Sequence, residues 1–159
     1  MSYKFKPIAI VSVVVKCQEK YLIVEEKLAN GDAIYNIPSG HLEFREGLIN
    51  GALRELDEES GLKVDSLDGI VGIYNFVQSS YSVIRTCFYL ELENFPELRP
   101  HDPDGDVCGV SWKTYEECLS LKKHMRSEMV LDSIKDFENG ARYPLSLLKI
   151  YNRILPNWR

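Results

Sequence analysis

The chain is short of several features that would define a function on their own. Its four cysteines, Cys17, Cys87, Cys108 and Cys118, are scattered, with no C-x-x-C pair to hold zinc or carry dithiol exchange. Three histidines leave no His-rich metal tract. No stretch reaches the roughly 20 consecutive apolar residues of a membrane span, and no Gly/Ser-rich linker or internal repeat divides the sequence. Positive charge is in deficit, with 19 Lys and Arg against 24 Asp and Glu and a net charge of −5. That balance argues against a nucleic-acid backbone or an anionic membrane as the main partner. The one dense basic stretch, Lys122-Lys123-His124-Met125-Arg126, reads as solvated surface.

What is present is an ordinary globular composition, 45% hydrophobic and 27% charged. A chain of 159 residues is long enough to bury a core, and one domain over residues 1–159 is the economical reading. The β-branched run Ile8–Val15 follows two lysines, as the core of a signal peptide would. Lys16-Cys17-Gln18-Glu19-Lys20 then stands where a small-residue cleavage site would be needed. The run therefore reads as a buried strand, and the chain as cytoplasmic with reduced thiols.

Ile8–Val15 and Tyr21–Glu26 are predicted as strands joined by the turn Gln18-Glu19-Lys20. Asn30-Gly31-Asp32 leads to an extended piece, Ala33–Ile37, interrupted by Pro38 and Gly40. From Glu46 to Ser60 the period becomes helical, with Leu48, Ile49, Ala52, Leu53 and Leu56 on one face and Gly61 placed to close the helix. Strands are predicted at Gly69–Val77, Val83–Leu92 and Val107–Trp112. The remaining part, about 114–140, is helical: Thr114-x-x-Glu117 reads as a capping box for a short helix through Leu121. Ser127 is placed to cap a last helix carrying Val130, Ile134 and Phe137 inward and ending at Asn139-Gly140. Strands with one mid-chain helix and a helical C-terminal part make a mixed sheet packed between helices, an α+β class sandwich.

The mid-chain helix carries the chemistry. Glu55, Glu58 and Glu59 fall within an arc of about 100°, beside the apolar face that anchors the helix. Grouped carboxylates repel one another, by a few tenths of a kcal/mol per i,i+4 pair. They suit either a solvated acidic face or Mg²⁺ and Mn²⁺, which take hard oxygen ligands and bridge them to phosphates. The preceding loop bears on that choice. Gly40, Glu46, Arg54, Glu55, Leu56, Glu58, Glu59, Gly61 and Leu62 spell G-x5-E-x7-R-E-L-x-E-E-x-G-L. This motif resembles the Nudix box at every fixed position, and nine positions at fixed offsets are far more specific than a lone glycine motif.

The resemblance implies a Nudix hydrolase, which cleaves a nucleoside or other organic diphosphate linked to a further group. It implies the fold as well: an α/β/α sandwich with a mixed central sheet and a loop–helix–loop motif. Carried over by position, Glu55, Glu58 and Glu59 are the implied metal-binding carboxylates, with the main-chain carbonyl of Ser39 as a further ligand. Arg54 and Glu46 brace the loop–helix geometry. Ser39 stands where glycine or alanine is usual, and Tyr35 where tryptophan is common; a carbonyl ligand does not depend on its side chain. The implied cofactor is Mg²⁺, in two or three copies, with Mn²⁺ able to substitute. Such ions invert the sign of an acidic cluster that would otherwise repel a polyanion, and they lower the pKa of a bound water. Glu55 or Glu58 would orient or deprotonate that water for in-line attack on phosphorus. An acidic residue outside the box is recruited in some relatives. Asp102-Pro103-Asp104-Gly105-Asp106 is the candidate source here, and an ordinary polar turn is the equal alternative.

Three further segments, Tyr35–Glu43, Arg99–Asp104 and Gly140–Leu145, resemble those of a bacterial phosphatase branch of the family. That branch releases phosphate from thiamine pyrophosphate and hydroxymethylpyrimidine pyrophosphate, and acts on nucleoside di- and triphosphates. The expected partner is thus a small organic di- or triphosphate, with the chain a monomer or homodimer. Candidate substrate contacts are Tyr35, His41, Tyr74, Arg85, His101, Asp106 and Arg142. Rival readings are another Nudix substrate (an oxidised nucleoside triphosphate, ADP-ribose or a dinucleoside polyphosphate) and a non-catalytic ligand-sensing domain. Such sensors typically lose box glutamates, and all are retained here. Between Glu43 and Glu59 six acids face two bases, so most of the chain's excess negative charge lies in this motif.

Overall fold

Alternation along the first strand decides the architecture. In the computed structural model, which describes residues 5–152, β1 (Ile8–Cys17) turns Val11, Val13 and Val15 to one face and Val14 to the other, all fully buried. A strand buried on both faces belongs in the middle of a sheet. β2 (Lys20–Lys27), β3 (Ala33–Asn36), β4 (Ser39–His41), β5 (Gly69–Val77), β6 (Ser82–Leu92) and β7 (Val107–Thr114) complete one seven-stranded mixed sheet among the described residues. β1 runs parallel to β6 over its whole length, from Ile8↔Val83 to Cys17↔Leu92, and β5 is antiparallel to β6.

On its other side β1 forks. Lys16 and Cys17 pair with β2, whereas Ile10–Ser12 pair with β4. β2 carries β7 along its length and β3 on the end beyond the fork. The segment from Ala33 to His41 therefore fills the fork, lying first on β2 and, after Pro38, on β1. β4 was not foreseen as a separate strand. Its three residues, one of them glycine, carry no β-propensity, and their pairing is imposed by β1.

Each face of the sheet is covered. α1 (Leu48–Ser60) buries Ala52 and Leu56 against Val11, Val13, Val15, Leu22, Phe88 and Leu90. On the opposite face α2 (Tyr115–Ser120) and α3 (Glu128–Glu138) pack Cys118, Val130, Ile134 and Phe137 on Val14, Tyr21, Ile23, Val71 and Cys87. This is the three-layer α+β sandwich the sequence implied.

The helix ends show which local signals were used. α1 begins at Leu48, two residues later than the periodicity predicts, because the Glu46 carboxylate bends back to accept the Glu43 N–H at 3.0 Å. Its other end closes as expected. Gly61 has φ +74° and donates its N–H to the Asp57 carbonyl, and a side chain there would overlap the Arg99 carbonyl. The N–H groups of Arg99 and His101 cover the carbonyls of Ser60 and Glu58, both at 2.8 Å. The Thr114 capping box of α2 forms in both directions, at 3.2 and 2.7 Å. Ser127 occupies the N-cap of α3, but its side chain makes no capping bond, which corrects the expected cap. All four cysteines are free, and among the described residues no helix is long and apolar enough to cross a membrane.

Candidate active site

The site grows from the unpaired edge of β4. Val13 N–H donates to the Pro38 carbonyl and Leu42 N–H to that of Ala9, so Pro38, Gly40 and Leu42 bond to β1. In an antiparallel ladder the intervening residues, Ser39 and His41, must direct both backbone groups away from that partner. They point at α1. Ser39 N–H donates to Glu59 at 2.9 Å, and the His41 carbonyl accepts from Arg54 at 3.0 Å. The Ser39 carbonyl lies on the same edge.

Arg54 organises the helix side. Its Nε and Nη2 grip both oxygens of Glu46 at 2.7 and 3.0 Å, a fork geometry that lysine cannot reproduce. Nη1 reaches Glu55 at 2.7 Å and Glu58 at 3.1 Å. The like charges of the box are thus tolerated because one guanidinium is shared among them. These carboxylates hold Arg54 above its ordinary pKa and Arg54 pulls that of Glu46 down.

Glu55 and Glu59 are buried, and burial pushes both carboxyls up, that of Glu59 to about 9. Glu59 also feels the fields of Glu55, Glu26 and Asp102. Glu55 packs directly on Gly40, where a Cβ would displace its carboxylate from this position. A divalent cation fits this donor set. Glu55, Glu58, Glu59 and Ser39 supply hard oxygens along one cleft, and the Glu59 carboxyl has no cationic hydrogen-bond partner. In the side-chain arrangement of the structure Arg54 engages Glu55 and Glu58. Among the described residues no three acidic, His or Cys side chains converge on one point.

These groups open on a cleft of about 800 Å³. Of the residues singled out from the sequence, Ser39, His41, Arg54, Glu55, Glu58, Glu59, Arg85 and Asp106 line it. Tyr35 does not: it lies on β3, packed against the α3-side core. Tyr74 lies in a separate, mostly apolar cavity of about 600 Å³ between β5 and α3, where its hydroxyl donates to Asp136 at 2.6 Å. Arg142 stacks 4.1 Å from the Phe137 ring centroid and pairs with Glu91. His101 meets Asp57 at 3.1 Å on the solvent side of α1, and that contact raises its pKa. Asp102, which also lines the cleft, accepts the N–H groups of Asp104, Asp106 and Val107 and so shapes its own loop.

Sequence reasoning did not single out four contributors to the cleft: Glu26, Arg126, and the first turn of α3 with Ser127 and Met129. Arg126 pairs with Glu26 at 2.8 Å across 100 residues, a contact with no local signature.

The fold and the box geometry define a class. The chain belongs to the Nudix family of hydrolases, which act on phosphoanhydride bonds with a divalent metal; a sequence profile of the NUDIX domain matches residues 6–133. Among individual proteins it is similar to phosphatase NudJ of Escherichia coli K12. The two are 38% identical over 148 residues, which is 93% of this chain and 94% of that one. A NUDIX hydrolase from Nitrosomonas europaea superposes with a TM-score of 0.80 at 29% identity, covering 92% of this chain and 99% of the other. The NUDIX domain of Shewanella oneidensis NrtR, solved with ADP ribose, shares the fold at a TM-score of 0.68 and 14% identity, over 85% and 90% of the two chains.

Proposed function

We propose that the chain is a Mg²⁺-dependent phosphatase for small organic pyrophosphates: thiamine pyrophosphate, hydroxymethylpyrimidine pyrophosphate and nucleoside di- and triphosphates. The observation that carries the metal-dependent part is the convergence on one cleft of Glu55, Glu58, Glu59 and the unpaired edge of β4. The substrate class rests on the likeness to a NudJ phosphatase over nearly the whole of both chains.

Glu55, Glu58, Glu59 and the Ser39 carbonyl would hold the divalent ion, with Mn²⁺ able to replace Mg²⁺. When bound, the ion offsets the charge of the substrate and acidifies a water molecule. Glu55 or Glu58 would take a proton from the attacking water on a carboxylate oxygen, and the bond from phosphorus to the bridging oxygen would break as the water oxygen bonds to phosphorus. Arg54 sets the position of both carboxylates through Nη1, and Glu46 fixes Arg54 through two further bonds.

A panel assay tests this reading. Thiamine pyrophosphate, nucleoside di- and triphosphates, an oxidised nucleoside triphosphate, ADP-ribose and a dinucleoside polyphosphate are compared by kcat/KM with Mg²⁺ and with EDTA. The expected result is orthophosphate release, highest for the pyrophosphates and abolished by EDTA. Release of a nucleoside monophosphate from ADP-ribose or a dinucleoside polyphosphate at higher kcat/KM would overturn the substrate assignment. Binding without turnover across the panel would place the chain with ligand sensors.

A further inference from the structure

Arg85 sits where a guanidinium is costly. It lies on β6 between Ile10 of β1 and Tyr74 of β5, in the middle of the sheet, and is 3% exposed. Its Nε donates to Ser12 Oγ at 2.8 Å. Its Nη2 has no acceptor, and it is the one buried side-chain nitrogen or oxygen in that condition among the described residues. Burying a charged donor unpaired is strongly unfavourable. Glu59 is the acid whose field reaches Arg85, yet its carboxylate bonds to Ser39. Glu26, a half-buried acid that also lines the cleft, is occupied by Arg126.

A second donor set opens on the same cleft. Ser127, Glu128 and Met129, the start of the 11-residue α3, line it together with Arg85. Ser127 has extended backbone (φ −158°, ψ 164°) and no side-chain capping bond. The Val130 N–H donates to the Ser127 carbonyl at 3.2 Å, which leaves the Glu128 and Met129 N–H groups without a protein acceptor among the described residues, at the positive end of the helix dipole.

We propose that the Arg85 guanidinium, which lines the cleft and is only partly hydrogen-bonded, and the Glu128 and Met129 N–H groups of α3 form an oxyanion subsite, which takes a phosphate oxygen of the substrate outside the glutamate cluster. This deepens the reading of the cleft as a site for phosphorylated compounds and rests on it. A diphosphate presents more charged oxygens than the box glutamates and their metal can cover. The subsite supplies fixed donors for the remainder and sets how the phosphate chain lies along the cleft.

Inorganic phosphate titrated into the metal-free protein in EDTA, followed by ³¹P line width, reads this subsite without turnover. Two variants are compared with the wild type. Arg85→Gln removes the guanidinium, and Ser127→Asp places a carboxylate where the anion would sit while capping the helix itself. Both are expected to weaken phosphate binding by roughly tenfold to a hundredfold, the loss of a charge-assisted bond. Ser127→Asp is also expected to raise the melting temperature, since aspartate is a good N-cap. The opposite signs separate a ligand role from a structural one. Should Arg85→Gln fail to fold, Ser127→Asp alone decides. Wild-type affinity in a folded variant, or no phosphate binding by the wild type, would overturn the proposal. A substrate panel that stays silent while phosphate binding still depends on Arg85 would instead overturn the hydrolase reading and leave the subsite standing.

Discussion

The two walls of the cleft each carry an arginine, and the two are used in opposite ways. Arg54, on the α1 wall, bonds to Glu46, Glu55, Glu58 and the His41 carbonyl. Arg85, on the α3 wall, is more deeply buried and bonds to Ser12 alone. The first holds a cluster of like charges in shape. The second keeps a donor free at the cost of an unpaired buried nitrogen. Shared bonds to Arg54 hold the α1 carboxylates in position, whereas the opposite wall leaves a guanidinium nitrogen without an acceptor.

The contrast is broken most severely from the α1 wall. Glu58→Gln and Glu59→Gln should each fold normally and lose turnover by about 10²–10⁴-fold at saturating Mg²⁺; near wild-type kcat in either would remove that residue from the metal set. Arg54→Leu should follow, with turnover down roughly a hundredfold as Glu55 and Glu58 lose their common anchor. Its stability loss, read by urea denaturation, should be about 1–3 kcal/mol, less than for a fully buried pair because the guanidinium is partly solvated.

Glu59 gives a pH signature. Burial pushes its carboxyl up to about 9 in the folded chain from an ordinary 4.5, so the folded state binds the extra proton between those values. In EDTA, stability is fully present below about pH 4.5 and is lost as pH rises toward 9. Urea midpoints at pH 5, 7 and 9 should fall for the wild type and fall less for Glu59→Gln; equal slopes would show that Glu59 is ionised throughout. Smaller still is the difference between two helix starts. Thr114→Ala should cost about 1 kcal/mol through its capping box, whereas Ser127→Ala, which removes no capping bond, should cost only a few tenths. Equal losses would mean that Ser127 caps α3 after all.

Much of the α1 wall was legible because its determinants are local. Helical period places Leu48, Ala52 and Leu56 inward, the box offsets group the glutamates, and Gly61 marks the end. The error at the helix start has the same origin: Glu46 fits the period, but its carboxylate is committed to the Glu43 N–H and Arg54. On the α3 wall Arg85 was named as a candidate contact, but nothing near Arg126 or Glu26 in sequence announces a shared cleft; β6, β2 and α3 meet only once the sheet is assembled. Tyr74 and Arg142 show the converse. Their types suit a ligand site, yet one is bonded to Asp136 and the other lies on Phe137.

The parallel pairing of β1 and β6 also bears on the chain as it is being made. Ile8 waits for Val83, 75 residues later in synthesis. Until β6 leaves the ribosome, the β-branched run of β1 keeps one edge open, and an open apolar edge is a template for pairing with other chains. Nascent chains stalled before Leu92 are therefore the species most exposed to aggregation. The strand from which both walls of the cleft are hung precedes every other described element in chain order and is among the last to be closed on both sides.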